Sequence, residues 1–330
     1  MKAFKTDSRF FIMLNAKSGN NDHEDTQQKI QSAMQAAGRE YALILIDDAA
    51  KLQQIAKDTL KQTLACDGVL VIAGGDGAIN AVSQVVAGSG CKFGVLPHGT
   101  FNYFSRTHGI PSDTDEALQV LINDAPEPVQ TGVVNERIFL VNASVGLYPE
   151  MLEQRETNKR RYGRSRIVAF MSGIVSIFSR QRLMRLTIEH QGQSRDIVTQ
   201  TLFVGNNALQ MEQVGIPLVD AIEKDRLAAV ILKPVSALKM LGIMLRSIAG
   251  RLGEAPSVDS FSFSSITIKP TLARRLKRIK VATDGEILWM NTPLEFRVWP
   301  DSLLLIKPKP AVETQSPAVE PALEYVSEAA

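Results

Sequence analysis

Cysteine is nearly absent. Cys66 and Cys91 are the only two in 330 residues, and they lack metal-ligand spacing. Too few to staple a secreted fold, they fit reduced thiols in a cytosolic protein. Long hydrophobic runs are missing as well. The apolar run Phe10–Leu14 behind Lys2 and Lys5 is too short for a signal-peptide core or a membrane span and reads as a first strand. The net charge of +2 leaves the whole chain no demand for nucleic acid. Internal repeats are also lacking. What remains, 45% hydrophobic and 22% charged residues, is the balance of a globular protein long enough for two domains.

The first 128 residues alternate between the two periods. Strands are predicted at Phe10–Leu14, Tyr41–Ile46, Gly68–Ala73 and Phe93–Leu96. Between them Ile30, Ala33, Met34 and Ala37, then Leu52, Ile55, Ala56 and Leu60, then Ala78–Ala87 mark helices, with Gly38 as a C-cap. Ser112–Asp115 reads as a capping box opening a helix Glu116–Ile122. This rhythm predicts an α/β domain with a doubly wound, mostly parallel sheet. After Pro126 and Pro128 it changes to short β-branched segments: Val129–Val134, Ile138–Val141, Leu183–Glu189, Thr201–Val204, Leu227–Leu232, Ser262–Lys269, Ile279–Thr283 and Leu294–Trp299. These predict a second, largely antiparallel β domain over 129–299. Beyond Lys309 come three prolines, four glutamates and no Lys or Arg, so 309–330 is expected to be a disordered acidic tail.

Three polar, glycine-bearing loops follow predicted parallel strands: Asn15–Gly19, Gly74–Gly77 and Pro97–Asn102. In an open α/β sheet they should converge at the carboxyl edge, where ligands bind. Glycines there let backbone approach phosphate. Asp76, at the centre of Gly74-Gly75-Asp76-Gly77, has a plain reading as the N-cap of the helix beginning at Ala78. It also suits a triphosphate site in which Mg²⁺ lies between carboxylate and phosphate.

Gly74–Gly77, "GVLPHGTFNYFSRTHGIP" at 94–111, and Asp284-Gly285-Glu286 resemble the diacylglycerol kinase catalytic family, and more closely its bacterial soluble lipid kinases. "FLVNASVGL" at 139–147 and "LFVGNNA" at 202–208 are similar to that family's second domain. The resemblance runs over roughly residues 8–308. It implies an ATP-binding α/β domain, a C-terminal β-sandwich-like domain, a cleft between them, and a last strand near 300–308 returning to the first domain. It places Asn15, Ser18, Gly19, Gly74, Gly75, Asp76 and Gly77 around the ATP phosphates, with Gly99, Thr100 and Asn102 touching nucleotide. It puts the acid pair Asp284 and Glu286 at the acceptor hydroxyl and Asp225 at a metal-binding turn, beside the metal role already read for Asp76. Three departures stand out: Ala78 where the family usually has Thr, Tyr103 where many members have Asp, and Arg226 in place of a glycine beside Asp225.

An Asp-Gly tripeptide is commonly a turn, and a strand-like Asp284–Glu286 would put both carboxylates on one face. Of the two, Asp284 is expected to take the hydroxyl proton, leaving Glu286 to position the acceptor or a metal-bound water. Residues 155–185 carry nine basic side chains against Glu156 alone and enclose twelve mostly apolar residues, Ile167–Phe178. With Leu238–Leu252 they suit a peripheral anionic membrane surface on the inner face. Few aromatics are interleaved and no nucleic-acid motif is visible, so nucleic acid is excluded as partner. A homodimer is among the assemblies the sequence allows. The expected activity is ATP- and Mg²⁺-dependent phosphorylation of diacylglycerol or a related lipid alcohol. A soluble NAD kinase-like enzyme and a nucleotide-binding membrane-surface protein without turnover are the alternatives.

Overall fold

A computed structural model describes residues 8–15, 23–146, 183–222, 224–271 and 277–309. Four parallel strands, β1 (Phe10–Asn15), β2 (Tyr41–Ile46), β3 (Val69–Gly74) and β4 (Lys92–Pro97), pair in the order β2-β1-β3-β4. Every residue of β3 is buried, as its unbroken apolar run requires when helices cover both faces. Helix α1 (His23–Ala36) packs against α5 (Thr114–Asn123), and α2 (Leu52–Ala65) against α3 (Asp76–Val86). A short helix, α4 (Tyr103–Thr107), follows β4. One sequence expectation is corrected at α5. Asp113, rather than Ser112, caps that helix, its Oδ1 accepting from the amides of Asp115 and Glu116 at 3.0 Å each.

The parallel sheet does not stop at the domain boundary. Strand β5 (Pro126–Val134) and strand β16 (Leu294–Ile306) run antiparallel through both domains. Leu304 and Leu305 of β16 lie parallel to Lys92 and Phe93 of β4, while Phe296–Trp299 pair with Thr131–Val134. The expected boundary at residue 128 thus falls inside β5. On its far side β16 pairs with β13 (Ser265–Pro270), which continues to β8 (Met184–His190) and β9 (Gln193–Thr199).

A second, antiparallel sheet has the order β12 (Val258–Phe263), β11 (Leu227–Leu232), β10 (Thr201–Gly205), β7 (Asn142–Gly146), β14 (Arg278–Thr283), β15 (Glu286–Asn291). Between β5 and β7 lies the short β6 (Arg137–Phe139), paired with β5. Phe139, Val145, Leu202, Phe263 and Val281 pack with Ile188, Ile266, Ile268 and Phe296 in one core between the two sheets, which makes this half a sandwich. The single strand expected at Ser262–Lys269 is two: the chain leaves one sheet after Phe263 and enters the other at Ser265. Three further α-helices are described: α6 (Ala208–Val214), α7 (Val219–Ile222) and α8 (Ala237–Ile248).

Candidate active site

The strand order reverses about β1, with β2 on one side and β3 on the other. That is the switch point at which doubly wound sheets bind ligands. Asn15 closes β1, and Gly74 and Pro97 are paired at the ends of β3 and β4. His98 donates its amide to Gly74 O at 2.9 Å, joining the second and third loops. Ser18 and Gly19 lie outside the described residues.

Gly75 is the N-cap of α3 and Asp76 its first residue, so Asp76 does not cap the helix that follows it. Its Oδ2 instead accepts the amide of Asn102 at 3.0 Å, and the amides of Tyr103 and Phe104 also favour its ionised form. The carboxylate is spent on the start of α4, holding the loop after β4 to the loop after β3. Burial is the larger influence and raises the Asp76 pKa above the ordinary carboxylate value. Its other oxygen, Oδ1, is buried without a hydrogen-bond partner. A lone buried carboxylate oxygen is a costly thing to leave unmatched, and it fits an ion or a donor brought by a ligand.

The glycines of the loops differ in what they allow. A Cβ on Gly99 would come within 2.6 Å of Asn102 Oδ1 and 3.1 Å of Gly75 Cα, so that glycine serves loop-to-loop packing. A Cβ on Gly77 would meet nothing within 4 Å. Asn102 is buried in a left-handed conformation, and its Oδ1 accepts the Gly99 amide at 2.9 Å. It shapes the loop. Thr100 and the neighbouring Phe101 are exposed.

The second domain brings the acid pair. Asp284 and Gly285 form the two-residue turn between β14 and β15, with φ of +47° and +88°. Positive φ at both central positions is the type I′ hairpin that Asp-Gly favours. The strand-like placement of two carboxylates on one face is therefore corrected: one acid is in the turn and the other starts β15. Their surroundings differ sharply. Asp284 Oδ1 accepts the amides of Val141 and Asn142 at 2.9 Å each. Its Oδ2 accepts the Leu140 amide at 2.7 Å and Asn80 Nδ2 at 2.5 Å. Four donors fill the lone-pair positions a carboxylate offers. Burial pushes its pKa up, and those donors oppose the shift. Glu286 is exposed and bonds Arg137, whose Nε donates to Thr283 Oγ1 at 3.2 Å.

The segment Leu140–Asn142 is gripped from both sides. Asn206 donates its side-chain amide to Leu140 O at 3.0 Å and its backbone amide to Val141 O at 2.9 Å. Asn207 caps α6 through Gln210 N at 2.8 Å and reaches across to Tyr103 O at 3.2 Å. The asparagines of "FLVNASVGL" and "LFVGNNA" thus brace the acid hairpin and α4. Asn80, Gln84 and Arg137 escaped the sequence reading. The available signal was the four-residue spacing of Asp76, Asn80 and Gln84 along a mostly apolar helix.

Asp225 stands exposed in the turn before β11, at φ +55°. Among the described residues no three His, Cys, Asp or Glu side chains gather to hold a metal.

With this geometry in view, the fold is that of solved bacterial kinases. A diacylglycerol kinase structure from Bacillus anthracis superposes with a TM-score of 0.65 at 18% identity, covering 91% of this chain and 97% of that one. Residues 9–134 match the family model of the diacylglycerol kinase catalytic domain, so the resemblance read from the loops is borne out there. A Pseudomonas aeruginosa protein named "Probable lipid kinase YegS-like" is 31% identical over 140 residues, 42% of this chain and 44% of its own length. A diacylglycerol kinase of Staphylococcus haemolyticus is 30% identical over 137 residues, 41% of each chain. An uncharacterized protein of Synechocystis is 25% identical over 246 residues, 73% of this chain and 55% of its own. The chain spans about half the length of the curated relatives it matches.

Proposed function

We propose that this protein transfers the γ-phosphate of ATP to a hydroxyl of a lipid alcohol, diacylglycerol or a close relative. The observation that carries the reading is helix α3. Its first residue, Asp76, stands in the phosphate loop and Asn80, four residues on, touches the acid hairpin. Four residues advance a helix by about 6 Å and return to the same face. Phosphate loop and acid turn are therefore held about one helical turn apart by the same helix, an arrangement that favours bringing donor and acceptor together.

Gly74–Gly77 would cradle the phosphates, with the open space at Gly77 taking phosphate oxygens and Asp76 Oδ1 facing Mg²⁺ or its waters. Mg²⁺ suits one carboxylate supplemented by phosphate and water, and it would neutralise charge on the transferring group. Within the acid pair, Asp284 fixes the hairpin and Glu286, with lone pairs open, takes the hydroxyl proton. For Asp284 to be the acceptor, one of its four donors must leave.

The test is acceptor-dependent turnover. With labelled ATP, Mg²⁺ and vesicles containing diacylglycerol, label should pass into the organic phase. Label in phosphorylated NAD instead would establish the soluble alternative. Nucleotide binding without ADP release in any extract would establish a protein without turnover.

The lipid must be reached from a surface. No helix among the described residues is long and apolar enough to cross a membrane, and the basic run at 155–182 lies outside those residues. Helix α8 buries Met240 and leaves Leu245 and Ile248 exposed by 60% and 82%, beside exposed Lys239 and Arg246. It packs on α6, which packs on α4 at the phosphate edge. An apolar ridge edged with cations suits an anionic bilayer face. Changing Leu245 and Ile248 to Ser together with Arg246 to Glu should release the protein from phosphatidylglycerol vesicles in co-sedimentation, with ATP binding retained. Undiminished sedimentation at low salt would leave α8 a packing helix only.

A further inference from the structure

Asn80 is buried, 3% exposed, in the first half of an apolar helix. Burying an amide there is costly unless its polar atoms are matched. Its Nδ2 donates to Asp284 Oδ2, and its Oδ1 accepts from Gln84 Nε2 at 3.1 Å. Gln84 in turn donates to Ile138 O at 2.7 Å and accepts from Ile138 N at 3.1 Å. Asp76, Asn80 and Gln84 recur every four residues and form one polar stripe on α3. The stripe runs from the phosphate loop, over the acid turn, to strand β6 of the second domain. Of the four donors on Asp284, three are backbone amides of its own domain and only Asn80 comes from the nucleotide domain.

We infer that Asn80 is a positioning residue for phosphoryl transfer, tying the Asp284–Glu286 hairpin to the phosphate-loop helix so that acceptor hydroxyl and γ-phosphate keep a fixed separation. The inference rests on the kinase reading and adds to it the element that couples the two domains. Both polar ends of the Asn80 side chain are taken up by Asp284 and Gln84, which gives it no part in holding nucleotide. Its removal should therefore act on the transfer step and leave ATP binding alone. Beside the turn, among the described residues, Arg137 of β6 and Glu286 of β15 pair with each other, so the Asn80 contact stands apart from that ion pair.

Two variants test it. Asn80→Ala removes the donor. It should lower kcat by roughly tenfold to a hundredfold, the worth of one hydrogen bond to a charged group if fully used in the transition state. The KM for ATP should stay within about twofold. Asn80→Asp keeps the shape but sets a second carboxyl against Asp284. Two carboxyls in contact share a proton, so one pKa rises in the folded state. A group with a raised folded pKa stabilises below that pKa and loses its contribution as pH rises through it. The melting deficit of Asn80→Asp against wild type should thus shrink toward pH 5 and widen toward pH 8, whereas that of Asn80→Ala should stay level. A role in packing alone predicts that the isosteric Asp variant is the milder one at every pH.

The inference is overturned if the deficit of Asn80→Asp is flat with pH, or if Asn80→Ala turns over like wild type. If Asn80→Asp does not fold, the kcat and KM of Asn80→Ala decide alone. Failure of the kinase reading looks different: wild type itself would pass no label to any acceptor, and the melting comparison would still settle whether the contact exists.

Discussion

Glu286→Gln is expected to lower turnover by roughly 10² to 10⁴, the usual worth of a general base, with little change in melting temperature. The side chain is about half exposed and its partner is a single arginine at the surface of the hairpin, and an ion pair so placed contributes at most about 1 kcal/mol to stability. Asp284→Asn should behave otherwise. The amide keeps one acceptor oxygen where the carboxylate offers two, and it aims an NH₂ at amides that are themselves donors. Two of the four donors lose their acceptor at about 1–3 kcal/mol each. The variant should therefore melt several degrees lower and lose turnover because the hairpin shifts. Turnover, ATP affinity and melting temperature on both variants separate the roles. If Asp284→Asn melts like wild type yet stops turning over, the proton goes to Asp284 and a donor must leave during the cycle. Full activity in both variants would falsify the acid pair.

The second large effect is expected at Gly77, where stability and affinity should move in opposite directions. Gly77 is the second residue of α3, exposed, with nothing within 4 Å of a built Cβ. Alanine in a helix is favoured over glycine by about 1 kcal/mol, so Gly77→Ala should melt no lower than wild type. If phosphate oxygens occupy that space, the methyl obstructs them. Gly77→Val should then weaken ATP binding by roughly a hundredfold, about 2.7 kcal/mol, in calorimetry. Gly99→Val is the contrast. Its Cβ meets Asn102 and Gly75 before it meets any ligand, so both stability and affinity should fall. Unchanged ATP affinity in a folded Gly77→Val protein would make the loop a turn and nothing more.

Much of the first domain was legible because its signals are local. The runs at Phe10, Val69 and Phe93 are buried strands, the run at Tyr41 is a half-buried edge strand, helical periods lie between them, and the structure returns each within a residue or two. Strand β9 and strand β15 escaped because their residues are largely exposed or sit at a sheet edge, where no apolar alternation is required. The continuation of β16 past Trp299 was expected only as a separate return segment, from the resemblance; the structure makes it one strand, Leu294–Ile306, with a register shift between Trp299 and Leu303.

By itself the sequence determined which loops would carry glycine and carboxylate, and that they would sit at the ends of parallel strands. It did so because strand, turn and helix signals are written in neighbouring residues. It left Asp284-Gly285 open between a turn and a strand-like pair of carboxylates, and the structure chose the turn. Only the tertiary structure decided what those carboxylates touch. Asp76 reaches α4, 26 residues away, and Asp284 reaches Asn80 across 204 residues. The difference between an anchored Asp284 and an open Glu286 depends on which amides the fold brings to each. No pattern of spacing along the chain encodes that, because a hydrogen bond between domains is made by the packing of the sheets that carry its two ends.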